Sequence, residues 1–459
     1  MLYKKLIEYS KSSVYPFHMP GHKRFDINGD GKLPYKLDLT EIYGFDDLHN
    51  ANGCIRDIGD TAAQIYNVDY ALLLINGATG GILSAVRSMT KRGDRVLIAR
   101  NCHKSVYNAA ELMGLKPEYI LPGQTGFGLF GSVSPGEVEK KLTEFKDIKL
   151  VIITSPTYEG VCSDIGKISE ICHAHNAMLF VDEAHGAHFP FNEAFPVPAV
   201  HQGANAAVIS LHKTLPSLTQ TALLLTNNNT LAEKFSLNTA VFETSSPSYI
   251  LMSSIECCLS YLKNSRTAFD EYIDNLTLFY KRTKTLKHLS LFDCDNRDIG
   301  KLVILTDKTN LSGHQLAGIL RKEYQLETEM SSADYVIAMT SVCDTAEGFE
   351  RLYKALSEID NNCFTAERKS NRLNVELPPR RFFPCEKDDY KAVKKSFDKA
   401  VGCVSLEYIF AYPPGIPLIV PGEVLTEKIC DCINYQIRNG VEMISSEKNM
   451  PHCLSVAEL

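Results

Sequence analysis

The chain has 459 residues, 44% hydrophobic and 22% charged, with a net charge of −7, a composition of soluble globular proteins rather than of disordered or fibrous ones. That length exceeds one ordinary core, so two or three domains are expected. An acidic balance with no face dense in Lys or Arg argues against a nucleic-acid partner, and no apolar run approaches the roughly 20 residues that a membrane helix needs.

The first stretch, Met1 to Ser10, has charged and polar residues where a signal peptide would be apolar, which points to the cytoplasm. It reads as a short amphipathic helix opening an arm over residues 1–60. Next comes Phe17-His18-Met19-Pro20-Gly21-His22-Lys23, extended and turning because of its prolines and glycine. Asp26 to Gly31 imitates the start of an EF-hand loop, but Leu37 stands where the mandatory Glu should be and Pro34 interrupts it, so it is a turn. Asp38 to His49 then sets Glu41, Asp46 and Asp47 among aromatic residues. Either a solvated loop or a contribution to a site for a cationic substrate would explain them.

From residue 61 to 290 apolar runs alternate with helix-length segments. Runs at Tyr70–Asn76, Arg95–Arg100, Leu150–Ser155, Ala177–Glu183, Ala206–His212 and Thr221–Thr226 predict an α/β domain with a mostly parallel sheet covered on both faces. Ligands in such sheets bind at the carboxyl ends of strands. Each chemically suggestive cluster falls at such an end. Gly77-Ala78-Thr79-Gly80-Gly81 follows the first run and precedes a helix expected from Ile82, an arrangement that offers amides and a hydroxyl to an anion. His103 follows the second run within Asn101 to Ser105.

The glycines of Gly126-Phe127-Gly128-Leu129-Phe130-Gly131 match a dinucleotide fingerprint in spacing, yet no strand-turn-helix unit surrounds them, so they read as loop punctuation. Thr154 to Gly160 closes the fourth run. Asp182-Glu183-Ala184-His185 ends the fifth. His185 and His188 find no third ligand at a metal-like spacing, so no metal is expected. The 14 cysteines include no C-x-x-C pair and fit a reduced compartment better than a disulfide framework.

The sixth run delivers Ser210, His212 and Lys213 together. Packing explains such a strand tip poorly, and Lys213 suggests a Schiff-base nucleophile. Asp182 precedes it by about one βαβ crossover, so neighbouring strands could bring the carboxylate and the amine to one site. Beyond residue 291 the pattern becomes α+β: strand Lys301–Thr306, helix Leu311–Tyr324, strand Asp334–Thr340 and helix Thr345–Asp360. A proline-rich path from Tyr408 through Pro413, Pro414, Gly415, Pro417, Pro421 and Gly422 then ends in Glu423.

These motifs resemble the bacterial ornithine/lysine/arginine decarboxylase family, pyridoxal-phosphate enzymes of the aspartate-aminotransferase fold. The likeness runs from Phe17–Lys23 and Asp46–His49 through Asn101–Ser105, Thr154–Gly160, Asp182–His185 and Ser210–Lys213 to Pro413–Glu423. It implies a seven-stranded-type large domain at 61–290, a smaller α+β domain at 291–459, and a short form without the N-terminal domain that longer members use for ring assemblies. By the same resemblance Lys213 carries pyridoxal 5′-phosphate, Asp182 salt-bridges its pyridine nitrogen, and His103 stacks on its ring. Ala78, Thr79, Gly80, Ser210 and His212 surround the phosphate, and Ala184 and His185 complete the cofactor site. His185 stands where long relatives often have another aromatic residue. Glu423 is implied in or near the substrate pocket, as partner of a distal cation.

The expected reaction is decarboxylation of L-arginine, L-lysine or L-ornithine to a polyamine-pathway amine, in a homodimer with sites between subunits. The cofactor is needed because no side chain can hold the electrons left on Cα; Lys213 or a neighbouring His would then protonate that carbon. Transamination or another lyase reaction on the same residues, and a cofactor-binding paralogue without turnover, remain open.

Overall fold

The computed structural model describes residues 1–12, 34–125, 129–366, 376–412, 415–438, 442–448 and 452–458. The Phe17–Lys23 stretch, the Asp26–Gly31 turn, Gly126 to Gly128, and Pro413 and Pro414 lie outside the described residues. Seven strands carry the fold class: β1 (Tyr70–Leu74), β2 (Arg95–Ala99), β3 (Lys116–Ile120), β4 (Ile148–Thr154), β5 (Met178–Asp182), β6 (Ala206–Ser210) and β7 (Ala222–Thr226). Their order is β1-β7-β6-β5-β4-β2-β3, the mostly parallel α/β sheet expected from the alternating runs. β7 runs antiparallel to its neighbours β1 and β6, whereas the pairs β2–β3, β2–β4 and β5–β6 are parallel.

Two compact units make up the chain, each discontinuous in sequence. The first comprises Met1–Met89, Phe180–Glu193 and Val197–Phe269; the second comprises Thr90–Leu179, Ala194–Pro196 and Asp270–Leu459.

In the first unit, helix Leu2–Ser10 buries Leu2 and Leu6. The Glu256 carboxylate accepts hydrogen bonds from the opening amides of Leu2 and Tyr3 at 2.9 and 3.0 Å. Acceptors at this position satisfy the amides that a helix start leaves without partners. Further along, β7 pairs Leu74 and Ser210 with the same residue, Ala222, on its two sides. β1 and β6 therefore run in the same direction and end level with each other. Both are buried at that end, and small residues let the next helix close over them. Helix Gly77–Met89 begins five residues before the expected Ile82. A Cβ built on Gly81 would lie 2.5 Å from Leu74 Cδ1 and 2.8 Å from Val208 Cγ2. The glycines that read as a turn thus belong to the start of the helix, where Gly81 leaves no room for a side chain against β1 and β6.

In the second unit, β2 pairs in parallel with β3 and β4. β3 reads poorly from sequence because Pro117 and Glu118 sit inside it, yet it lies at the end of the strand order, where a missing amide donor is tolerated. The later α+β segment forms an antiparallel sheet from β8 (Ser290–Leu291), β9 (Lys301–Leu305), β10 (Met330–Ser331) and β11 (Tyr335–Met339), ordered β10-β11-β9-β8. Its core contains Val303, Leu305, Met330 and Ile337. The C-terminal part adds β12 (Ala392–Ser396), β13 (Ile409–Tyr412), β14 (Ile416–Ile419), β15 (Glu442–Ser445) and β16 (Cys453–Ala457). Ile409, Ile419, Leu425, Ile433 and Leu454 are buried together there. None of the described helices is long and apolar enough to cross a membrane.

Gly81→Ala should destabilise the protein by about 1–3 kcal/mol, the usual cost of forcing extra volume into a packed core. Urea denaturation measures this; unchanged stability would contradict the close approach of the helix to β1 and β6.

Candidate active site

Asp182 is the last residue of β5 and is 3% exposed. Its Oδ1 accepts a hydrogen bond from the Ala184 amide at 3.2 Å. Burial pushes its carboxyl above the ordinary range, while the Lys213 charge and the Ala184 amide pull it down without fully offsetting burial. The next carboxyl, Glu183, is pushed up to about 8, chiefly by burial. Its Oε1 accepts from the Ala199 amide at 2.9 Å, which makes Glu183 an anchor for that loop.

Ser210 ends β6 and precedes the short helix Leu211–Thr214. Register sets Val208 beside Asp182, so Ser210 lies two residues beyond the acid at the same end of the strand pair. The Ser210 amide donates to the Ala184 carbonyl at 3.3 Å, tying the two strand ends together. The Ser210 hydroxyl is buried and has no hydrogen-bond partner among the described residues. Lys213 Nζ lies 3.0 Å from His185 Nε2, within hydrogen-bond distance. His185 is buried. His212 Nδ1 donates to the Thr221 carbonyl at 2.9 Å, and burial is the main reason its pKa falls below the ordinary histidine value.

The same unit holds the expected anion turn. The first turn of helix Gly77–Met89 contains Ala78, Thr79 and Gly80. Gly77 donates its amide to Gln220 and Gly80 donates to Asn76. The amides of Ala78 and Thr79 have no hydrogen-bond partner among the described residues. A helix start of this kind attracts anions through its unpaired N–H groups and its dipole.

Thus nine of the residues read from sequence, Ala78, Thr79, Gly80, Asp182, Ala184, His185, Ser210, His212 and Lys213, fall in the first unit. His103 and Glu423 fall in the second. His103 caps helix Lys104–Leu112, its Nδ1 accepting from the Ser105 amide at 3.3 Å and lying 2.8 Å from the Ser105 hydroxyl.

Glu423 is buried against Arg100, with Arg100 Nη2 donating to Glu423 Oε2 at 2.7 Å and both side chains 2% exposed. The Val420 amide also donates to that oxygen, and Arg100 reaches the Leu418 carbonyl at 3.0 Å. Burial opposes the Arg100 charge, but the adjacent carboxylate outweighs it and keeps the guanidinium above its ordinary pKa. A carboxylate already holding one guanidinium in a dry interior is a structural counter-ion. The next described helix after it is Glu427–Arg438. Arg100 itself was missed, although a basic residue closing an apolar strand run is a signal that it needs a buried partner.

The acids around residue 46 also resolve. Asp46 accepts from the amides of Asp47, Asn52, Gly53 and Ile55 at 2.8–3.0 Å. Burial works against its charge, but these bonds prevail and hold its carboxyl below the ordinary range. It organises the entry to helix Cys54–Tyr66, so the cationic-substrate reading does not hold for Asp46.

The α/β sheet thus brings a buried acid, a hydroxyl without a partner among the described residues, a lysine and an open helix start to the carboxyl ends of its strands. Comparison with known proteins narrows the class. The profile of the Orn/Lys/Arg decarboxylase major domain matches residues 1–324, and that of the same family's C-terminal domain matches residues 385–440. The chain belongs to this family. It is 29% identical to an arginine decarboxylase of Bacillus anthracis, over 97% of this chain and 94% of the relative. An arginine decarboxylase of Halalkalibacterium halodurans is also 29% identical, over 99% of this chain and 97% of the relative. A lysine decarboxylase structure from Francisella novicida superposes with a TM-score of 0.84 at 18% identity, covering 100% of this chain and 81% of that one.

Glu423→Leu should destabilise the protein by roughly 3–5 kcal/mol, because it strands the buried Arg100 charge. Adding Arg100→Met should recover most of that loss. Chemical denaturation of the three variants checks this, and additive costs would contradict the pairing.

Proposed function

We propose that the chain binds pyridoxal 5′-phosphate at Lys213 and decarboxylates a basic L-amino acid, arginine in first place, to carbon dioxide and the corresponding amine. Decarboxylation of a basic amino acid is the chemistry of the family; arginine is placed first because relatives named arginine decarboxylase are 29% identical over 97–99% of this chain, against 22% for a lysine decarboxylase aligned over 93% of it. The observation that carries the cofactor assignment is the buried Asp182 carboxyl at the end of β5. A desolvated acid of this kind calls for a cationic partner, and a protonated ring nitrogen is one. The unpartnered Ser210 hydroxyl and the amides of Ala78 and Thr79 fit the other end of the same molecule, its phosphate.

When bound, the cofactor supplies the sink for the electron pair left on Cα, which no side chain can hold. The chain's own residues supply binding, orientation and proton placement. Lys213 Nζ is the amine that holds the cofactor. Asp182 keeps a proton on the ring nitrogen by placing a negative charge beside it, an electrostatic arrangement made before the reaction begins. Thr79, Ser210 and His212 would bind the phosphate together with the open amides of Ala78 and Thr79, with Gly80 leaving room beside them. Ala184 fixes the Asp182 carboxylate through its amide; the family resemblance alone gives His103 the role of stacking on the ring. His185 Nε2 orients Lys213 Nζ, and Lys213 Nζ delivers the proton to Cα after carbon dioxide leaves.

The reading extends to a homodimer with sites completed between subunits, in the cytoplasm and in polyamine formation. Its functional division is an arm at 1–60, a cofactor domain at 61–290 and a C-terminal domain at 291–459.

Carbon dioxide release from L-arginine, L-lysine and L-ornithine, measured side by side on cofactor-loaded protein, tests the proposal. Release should be fastest from arginine; no release from any of the three would refute decarboxylation. Asp182→Asn should keep the cofactor but lose at least ~10²-fold in kcat, on the order of 3 kcal/mol, as for other charge-stabilising groups. A rate near wild type would remove Asp182 from its role.

A further inference from the structure

The strand-to-helix turn Ile75-Asn76-Gly77 is held by two side chains from distant parts of the first unit. Glu243, directly after helix Asn229–Phe242, accepts hydrogen bonds through Oε1 from the Ile75 amide at 2.9 Å and the Asn76 amide at 3.3 Å. The Asn76 side chain in turn donates to the Phe242 carbonyl at 2.9 Å. From the other side, Gln220 donates its side-chain amide to the Ile75 carbonyl at 3.1 Å. Its own carbonyl accepts from the Gly77 amide at 2.9 Å. Gln220 adopts φ +80°, a backbone conformation that in a residue with a side chain needs such support to persist, while Gly77 takes φ +66° at no such cost.

An account of the backbone polar groups shows what this does. The amides of Ile75, Asn76 and Gly77 and the carbonyl of Ile75 are satisfied within the protein, and the Asn76 carbonyl accepts from Gly80. The next two amides, of Ala78 and Thr79, have no partner among the described residues. Ala78 is half-buried and Thr79 exposed, and a helix start leaves such amides open; here the residues just before them are tied down by side chains, so the two open donors sit on a held turn. Pre-set donors bind an anion without the cost of ordering them at the moment of binding.

We propose that Glu243 and Gln220 are positioning residues that clamp this turn so that the Ala78 and Thr79 amides meet the cofactor phosphate. The inference rests on the reading of pyridoxal 5′-phosphate as cofactor. Glu243 works through one acceptor oxygen; its other oxygen, Oε2, is buried with no partner among the described residues. Gln keeps one carbonyl oxygen, so it should serve the clamp as Glu does, whereas Ala cannot.

The test compares the affinity of the apo-protein for pyridoxal 5′-phosphate and for pyridoxal, which lacks the phosphate, by fluorescence titration. Glu243→Ala should weaken pyridoxal phosphate binding at least tenfold and pyridoxal binding less than twofold. Glu243→Gln should restore wild-type affinity for both. Gln220→Asn tolerates the positive φ but is too short to reach the Ile75 carbonyl, and should weaken phosphate-selective binding in the same direction. If Glu243→Ala does not fold, Gln220→Asn decides. Equal losses for both ligands, or none, would overturn the clamp. Failure of the wild-type protein to bind either ligand would instead overturn the cofactor reading.

Discussion

The site depends on a carboxyl group kept out of water. An ionised carboxylate in a protein interior is unfavourable by several kcal/mol unless charge and hydrogen bonds are supplied to it. At Asp182 they come from the Ala184 amide and the field of Lys213, and they do not fully offset burial. The residual demand for a positive partner gives the position its chemical meaning. The surroundings follow from the same requirement: Ala184 links the ends of β5 and β6, and His185 meets Lys213 three residues beyond the acid.

Strand ends were the most legible part of the fold. Apolar runs at 70–76, 95–100, 150–155, 177–183, 206–212 and 221–226 located six strands to within two residues, because strands covered on both faces leave little room for polar side chains. β3 escaped because Pro117 and Glu118 break that pattern, and an edge position permits the break. The start of helix Gly77–Met89 was misjudged for a different reason. Three glycines in five residues signal a turn locally, but here a tertiary constraint, the approach of Gly81 to Leu74 and Val208, outranks local propensity.

The C-terminal acid shows the limit of reading function from a motif. A rigid proline-rich approach to Glu423 suggested a group aimed at a substrate. Its partner turns out to be Arg100, 323 residues away in sequence. No local pattern reveals such a pair. Burial was the missing quantity: two charges each 2% exposed have only each other and nearby backbone to replace water. Glu243 and Gln220 were invisible for the same reason, since their partners at Ile75 and Asn76 lie 145 to 168 residues away. Residues with local chemical logic, such as Lys213 after a buried strand, could be singled out; residues that act by long-range hydrogen bonding could not.

The central claim is that one lysine, at the end of β6, holds the cofactor. Borohydride reduction of cofactor-loaded protein, followed by peptide mapping, tests it most directly. The account predicts pyridoxyl label on the peptide containing Lys213 and none in Lys213→Ala. Label on a different lysine, or a labelled Lys213→Ala protein, would contradict it.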